Sequence, residues 1–144
     1  MREAITLVGD GIENPWNALT MLHVAAMFDA PCVFRDRKDL AGSWEEVEPA
    51  RDPLPLITFE ELARGYSPVV AFDNLEGAVD VYGHRLPRGS RPALLVGNER
   101  RGLAQDVIGL ATESVQIPLA SRSLSSLNVA AASAVGLYHR SQVK

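Results

Sequence analysis

Three short segments of the sequence carry residue types that hold polar ligands or move protons. The first has two asparagines around a proline and a tryptophan, with a histidine further on: Glu13-Asn14-Pro15-Trp16-Asn17 and His23. The second places Asn-Glu-Arg-Arg between Gly97 and Gly102. The third is Ile117-Pro118-Leu119, followed by Ser126-Leu127-Asn128. Amide, carboxylate and imidazole groups of this kind are suited to binding a ligand and to general acid–base work.

Each segment also has a purely structural explanation. Asn14-Pro15 is a routine helix opening, and Ser126 is a reasonable helix cap. The spacing of Gly97 and Gly102 matches neither the dinucleotide fingerprint nor the P-loop, and no lysine follows Gly102. ATP binding is therefore disfavoured, and no single segment identifies a ligand.

The elements that must position these segments alternate between strands and helices. Short apolar runs predict strands over residues 4–8, 31–34, 67–72, 92–96 and 114–117. Capping signals and helical periodicity predict helices over residues 17–29, from Thr58 to about Gly65, over 104–110 and over 126–140. The charged, proline-containing stretch 35–55 is predicted to be irregular. This order indicates an α/β fold with a mainly parallel sheet flanked by helices, whose functional loops lie at the carboxyl ends of the strands.

Composition limits the class of protein. With 144 residues, of which 47% are hydrophobic and 22% charged, the chain is predicted to form one globular domain over residues 1–144. The lone Cys32 excludes an internal disulfide and a multi-cysteine metal site. We find no membrane-spanning run and no secretory signal, so a cytoplasmic location is expected.

The net charge of −4 is not typical of a nucleic-acid-binding protein, which usually has a basic surface. The charges are unevenly placed, however. Acidic residues crowd positions 36–61, whereas most arginines lie in the second half of the sequence. A local basic surface on an acidic protein is therefore compatible with the sequence.

Taken together, the three segments resemble the signature motifs of the SpoU (TrmH-like) RNA ribose 2′-O-methyltransferases of the SPOUT class. Residues 12–29 are similar to motif 1, approximately N-P-x-N-x-G-x-x-x-R-x-A-x-x-F-G. Residues 94–103 are similar to motif 2, L-x-x-G-N-E-x-x-G-L. Residues 117–119 and 126–130 are similar to motif 3, I-P-M followed by S-L-N-V.

This resemblance implies a parallel α/β domain with a C-terminal deep trefoil knot, a homodimer, and methyl transfer from S-adenosylmethionine to a ribose 2′-hydroxyl of tRNA or rRNA, without a metal. The matched positions of the cofactor pocket are Phe72, Asn74, Gly97, Glu99, Gly102, Ile117, Leu119, Ser126, Leu127 and Asn128. Arg100, Arg101 and Arg122 are the candidates for RNA contacts. Because motif 1 begins by residue 14, no separate N-terminal RNA-binding domain is expected.

The homodimer is also expected from two helices. The motif 1 helix is apolar around most of its circumference, and the last helix has a small-residue face: Ala130, Ser133, Ala134 and Leu137. This is more buried-type surface than one thin domain can cover.

His23 stands where the family has its motif 1 arginine. Two interpretations stay open: a histidine that satisfies a buried hydrogen bond on a semi-apolar face with Leu19, Thr20 and Met27, or a general base acting with Asn14, since histidine titrates in the neutral range. Two other classes of function also remain: a catalytically degenerate SPOUT-fold dimer that binds RNA or protein, and an unrelated α/β enzyme or nucleotide-binding domain.

Overall fold

The computed structural model describes residues 4–47, 52–73, 75, 77–84, 91–118 and 128–142. Within them the chain forms one sheet of six parallel strands in the order β2-β1-β5-β3-β6-β4. The strands are β1 Thr6–Asp10, β2 Cys32–Arg35, β3 Val69–Phe72, β4 Val79–Asp80, β5 Ala93–Val96 and β6 Glu113–Gln116. The predicted α/β class is confirmed.

Five α-helices accompany the sheet in the described part of the chain. They are α1 Pro15–Met27, α2 Leu40–Val47, α3 Phe59–Gly65, α4 Gln105–Ile108 and α5 Val129–Gln142, and a 3₁₀ turn covers Val81–Gly83. The sheet separates two apolar clusters. Leu7 and Leu94 pack with α1 and α5 on one side, whereas Val8 and Leu95 pack with α3 and α4 on the other. The strands β1, β3 and β5 are buried on both faces, as parallel strands between two layers of helices must be.

The helix starts follow from local chemistry that the sequence already contains. The Oδ1 atom of Asn14 accepts a hydrogen bond from the Trp16 backbone N–H at 2.9 Å, and Pro15 occupies the first turn of α1. Thr58 and Glu61 form the reciprocal capping box before α3, which ends at Gly65. These predictions are confirmed.

The prediction that residues 35–55 are irregular is wrong over α2. The Asp36 carboxylate accepts hydrogen bonds from the backbone N–H groups of Leu40 at 2.7 Å and Ala41 at 3.0 Å. These bonds satisfy amides that a helix start leaves without partners, and burial of Leu40 and Trp44 supplies the packing. The short edge strand β4 was also not predicted, because two residues carry no periodicity.

Helices α1 and α5 pack against each other, which corrects one expectation about a dimer surface. Ala130, Ser133 and Leu137 are buried inside the chain, and Ala134 is partly buried. The small-residue face of α5 therefore packs within this chain rather than facing outward. The motif 1 helix, by contrast, leaves Trp16 and Met27 exposed.

No helix in the described ranges is both long and apolar enough to cross a lipid bilayer. The predicted trefoil knot depends on residues 119–127, which lie outside the described ranges, so it stays a prediction.

Candidate functional site

The strand order brings the ends of β1 and β5 side by side, and the first two motif segments follow those ends. Asn98, just after β5, joins them. Its Nδ2 atom donates to the backbone carbonyl of Gly11 at 2.8 Å and to Oε1 of Glu13 at 2.8 Å. The loop after β1 is thereby tied to the loop after β5.

The loop of residues 97–102 is closed by its own hydrogen bonds. The backbones of Asn98 and Gly102 bond to each other in both directions, at 3.0 and 2.9 Å. Oδ1 of Asn98 accepts from the backbone N–H groups of Arg100 and Arg101, both at 3.0 Å. Asn98 therefore fixes the shape of the loop with both ends of its amide.

Both glycines of this loop are required by the fold of the loop itself. A Cβ on Gly97 would lie 2.4 Å from the carbonyl carbon of Gly102. Gly102 has a φ of +70°, and a Cβ there would lie 2.5 Å from Oδ2 of Asp73, an atom that also accepts from the Leu103 N–H at 3.1 Å. Replacing Gly97 therefore disturbs the loop before it can report on any ligand.

Glu99 is the centre of the site. Its Oε1 accepts from the backbone N–H of Glu13 at 3.0 Å, and its Oε2 accepts from the backbone N–H of Asn14 at 2.8 Å and from Nδ2 of Asn17 at 3.0 Å. Burial raises the pKa of the Glu99 carboxyl, but these hydrogen bonds outweigh it, so the pKa lies below its ordinary value. Glu99 is therefore ionised at neutral pH and holds the motif 1 loop.

Asn17 extends this arrangement to the third segment. Its Oδ1 accepts from Nδ2 of Asn128 at 3.2 Å. Oδ1 of Asn128 accepts in turn from the backbone N–H groups of Ala130 and Ala131, so the described cap of α5 is Asn128. The chain of bonds from Glu99 through Asn17 to Asn128, called here the motif junction, connects all three segments.

Asn17 belongs to the first segment but was not predicted as a site residue, although a signal was present. The fourth letter of motif 1 is an asparagine, and Asn17 occupies that position. Read locally, it is only a polar residue in the first turn of a helix. Its role becomes visible only when β5 and α5 are in place beside it.

Of the predicted catalytic pair, Asn14 is bonded to the motif junction through its backbone N–H and Glu99, whereas His23 is not. His23 is exposed on α1, about two turns or roughly 12 Å of helical rise beyond Pro15. In the described part of the chain its ring makes no hydrogen bond or ion pair. The interpretation of His23 as a buried, hydrogen-bonded histidine is therefore wrong.

The remaining predicted residues are placed as follows. Phe72 is buried beneath α5, where a Cβ on Gly136 would lie 2.5 Å from its ring, so it is part of the core. Ile117 is half-buried after β6. Arg100 and Arg101 are exposed on the 97–102 loop. The residues Asn74, Leu119, Arg122, Ser126 and Leu127 lie outside the described ranges.

A four-residue ion-pair cluster beside the site was not predicted. Nε of Arg35 donates to buried Asp10 at 2.6 Å, and its Nη2 donates to Asp106 at 2.7 Å. Arg37 pairs with both aspartates as well. Burial raises the pKa of Asp10 against the opposing effect of Arg37. The cluster fastens α4 to the ends of β1 and β2.

Comparison with known proteins places this geometry among related folds. The family model described as "SpoU rRNA Methylase family" matches residues 4–138. A comparison with curated protein sequences found no significant match.

Three solved structures resemble the chain over 97% of its length. A putative RNA methyltransferase of the TrmH family from Porphyromonas gingivalis has 24% identity and a TM-score of 0.71. An AdoMet-bound rRNA methyltransferase from Sinorhizobium meliloti has 22% identity and a TM-score of 0.76. A protein studied for 2-OH methylation of C/U34 on tRNA has 25% identity and a TM-score of 0.76. The chain spans 60%, 56% and 90% of these proteins, respectively.

Proposed function

Because the chain belongs to the SpoU rRNA methylase family, we propose that it transfers the methyl group of S-adenosylmethionine to a ribose 2′-hydroxyl of tRNA or rRNA. The observation that carries this proposal is the motif junction, in which Glu99 and Asn128 both hold Asn17. The family match also excludes the alternative of an unrelated α/β enzyme whose motifs agree by chance. The similarity to the tRNA 2-OH methylation protein supports the ribose hydroxyl as the acceptor.

The described residues fit a cofactor of this kind. The loops after β3, β5 and β6 start from neighbouring strands, and Asp73, Gly102 and Leu103 already hold two of these loops together. Half-buried Ile117 offers apolar surface beside them. We propose that the 97–102 loop and Ile117 hold the cofactor together with Leu119, Ser126 and Leu127. When bound, S-adenosylmethionine supplies an electrophilic methyl group.

The protein's own task is then to orient the ribose hydroxyl and to remove its proton. Glu99 is unsuited to taking the proton, because both of its oxygens already accept hydrogen bonds that hold the motif 1 loop. We assign that role to His23, whose ring has no partner among the described residues. Asn14, fixed to Glu99 through its backbone and to Trp16 through its side chain, shapes the loop that opens α1.

We also propose a homodimer formed through the outer faces of α1 and α5. Trp16, Met27 and Tyr138 are 59%, 75% and 59% exposed, and Phe28 contacts the Tyr138 ring edge-on. The contact between Phe28 and Tyr138 joins the exposed side of α5 to the end of α1 beside Met27, and Trp16 adds exposed apolar area at the start of α1. Burial in a second copy removes these side chains from water.

One observation favours a second function. The arginine of motif 1 is replaced by His23, which stands in solvent some distance along α1. A degenerate member of the family that binds RNA or protein without transferring a methyl group would have the same fold and junction.

Two measurements test these functions. Calorimetric titration with S-adenosylmethionine is expected to give one site per chain, with no heat from ATP or a nicotinamide cofactor. Methyl transfer from labelled S-adenosylmethionine to bulk tRNA and rRNA, followed by nucleoside analysis, is expected to yield 2′-O-methylated nucleosides. Cofactor or RNA binding without transfer would support the degenerate binding protein instead, and transfer to a base would overturn the ribose assignment.

A further inference from the structure

Arg100 is held at the rim of the site by an acidic neighbour. Its side chain is 67% exposed, and its Nη2 atom donates to both carboxylate oxygens of Glu13, at 2.7 and 2.9 Å. In the described part of the chain, Nε and Nη1 of Arg100 have no hydrogen-bond partner. The guanidinium is thus fixed on one side and open on the other.

Glu13 is itself fixed by the site. Its Oε1 accepts from Nδ2 of Asn98 at 2.8 Å, and its backbone N–H donates to Glu99 at 3.0 Å. Hydrogen bonds from Asn98 and Arg100 lower the pKa of the Glu13 carboxyl, so it is charged at neutral pH. The orientation of Arg100 is therefore tied, through Glu13, to Asn98 and Glu99.

An exposed ion pair of this kind adds little to stability. Its main effect is on orientation, because a free arginine samples many rotamers and loses that freedom when it binds. An arginine already ordered by Glu13 avoids part of that loss. Its remaining N–H donors carry a full positive charge and suit a phosphate oxygen.

We propose that Arg100 binds the phosphodiester backbone of the RNA substrate through its open N–H donors, and that Glu13 is a positioning residue that orders Arg100 for this contact. The inference rests on the proposed function, since it names how that site holds its RNA. It separates Arg100 from Arg101, whose exposed side chain has no carboxylate holding it in the described ranges.

The sign of the Glu13 effect distinguishes positioning from simple charge. An acidic side chain beside bound RNA repels phosphate, so its neutralisation should tighten binding if charge alone matters. If Glu13 orders Arg100, its neutralisation weakens binding instead. Glu13→Gln is the suitable change, because the amide oxygen can still accept from Asn98.

The test measures binding of bulk tRNA and of fragmented rRNA over a range of salt concentrations. The proteins are wild type, Arg100→Ala, Glu13→Gln and the double variant, with Arg64→Ala on the exposed surface of α3 as a charge-matched control. Arg100→Ala is expected to reduce the slope of log affinity against log salt by about 0.7–0.9, the value of one phosphate contact. It should raise KM for RNA.

Glu13→Gln is expected to weaken RNA binding roughly two- to tenfold when Arg100 is present, and not when Arg100 is alanine. Arg64→Ala should keep the wild-type slope, and thermal denaturation should find every variant folded.

Three results would overturn the inference. If the slope for Arg100→Ala equals that of wild type, Arg100 makes no phosphate contact. If Glu13→Gln binds RNA more tightly, Glu13 repels RNA and is not a positioning residue. In both cases the proposed function stands, because wild type still binds and methylates RNA. Wild type that binds neither RNA overturns the proposed function and this inference with it.

Discussion

Asn17 and Asn128 are joined by a 3.2 Å hydrogen bond between their side-chain amides, although 111 residues separate them in the sequence. Each amide also has a second partner: Asn17 donates to Glu99, and Asn128 accepts from the first turn of α5. The start of α1, the 97–102 loop and the start of α5 are thus fixed relative to one another by three side chains. A substitution in any one of these three segments should therefore alter the positions of the other two.

Replacing Glu99 tests this arrangement first. Glu99→Gln keeps the size of the side chain, but one accepting oxygen becomes an NH₂ group. The N–H donor that faced this oxygen is then left without an acceptor. We expect a loss of about 1–3 kcal/mol in the free energy of unfolding, the range for leaving such a group unsatisfied, measured by urea denaturation. Glu60→Gln, exposed on α3, should stay within about 0.5 kcal/mol of wild type. Equal stability of the two variants would contradict the role of Glu99.

The pH dependence of stability should follow from the same carboxylate. The pKa of Glu99 is lower in the folded chain than in the unfolded one, so the folded state binds fewer protons in acid. Its contribution is present above the unfolded glutamate value of about 4.3 and is lost as pH falls through the folded pKa. The difference in stability between wild type and Glu99→Gln should therefore shrink in acid, as measured by urea midpoints. A stability difference that does not change with pH would contradict this prediction.

Gly97 should be intolerant of any side chain. A Cβ there meets the backbone of Gly102 at 2.4 Å, and the backbone cannot move without breaking the bonds between Asn98 and Gly102. Gly97→Ala is expected to lower the thermal midpoint and to weaken cofactor binding together with it. Gly83→Ala, whose Cβ meets nothing closer than 4.0 Å, is the matched control and should leave both unchanged. A fully stable Gly97→Ala variant would show that the loop can rearrange.

Replacing His23 should change the rate of methyl transfer but not the free energy of unfolding. Because the side chain is exposed, His23→Ala should leave the free energy of unfolding within about 0.5 kcal/mol of wild type. If His23 takes the ribose proton, methyl transfer should fall roughly 10²-fold or more with cofactor affinity intact. If wild type is inactive, His23→Arg is the variant in which activity would appear. An active enzyme indifferent to both changes would remove His23 from the mechanism.

The proposed dimer predicts which exposed aromatic residue is sensitive. Tyr138→Glu places a charge on the apolar surface of α1 and α5 and should shift a dimer toward monomer, measured by light scattering at micromolar concentration. Tyr82 on the 3₁₀ turn is 82% exposed, against 59% for Tyr138, so Tyr82→Glu is the control and should not shift the dimer. A wild-type monomer at that concentration would contradict the dimer.

The sequence predicted those parts of the fold whose causes are local. Asn14-Pro15 and Thr58 to Glu61 contain their own caps, and the apolar runs at β3 and β5 need no partner to be recognised. Helix α2 was missed because its start depends on Asp36, four residues before the first residue of the helix, in a stretch dominated by charges. The contact between Asn17 and Asn128 has no local signal at all, since it exists only once the sheet order is set.

The way Glu99 holds its neighbours has a consequence for the protein's fluctuations. The amides of Glu13 and Asn14 are bonded to a side chain on another loop, not to a backbone ladder. Their hydrogens can exchange with solvent deuterium only when the 97–102 loop separates from the start of α1. These two amides should therefore show the same opening free energy in hydrogen exchange, well below that of global unfolding, and should report the separation of the two loops as one cooperative event.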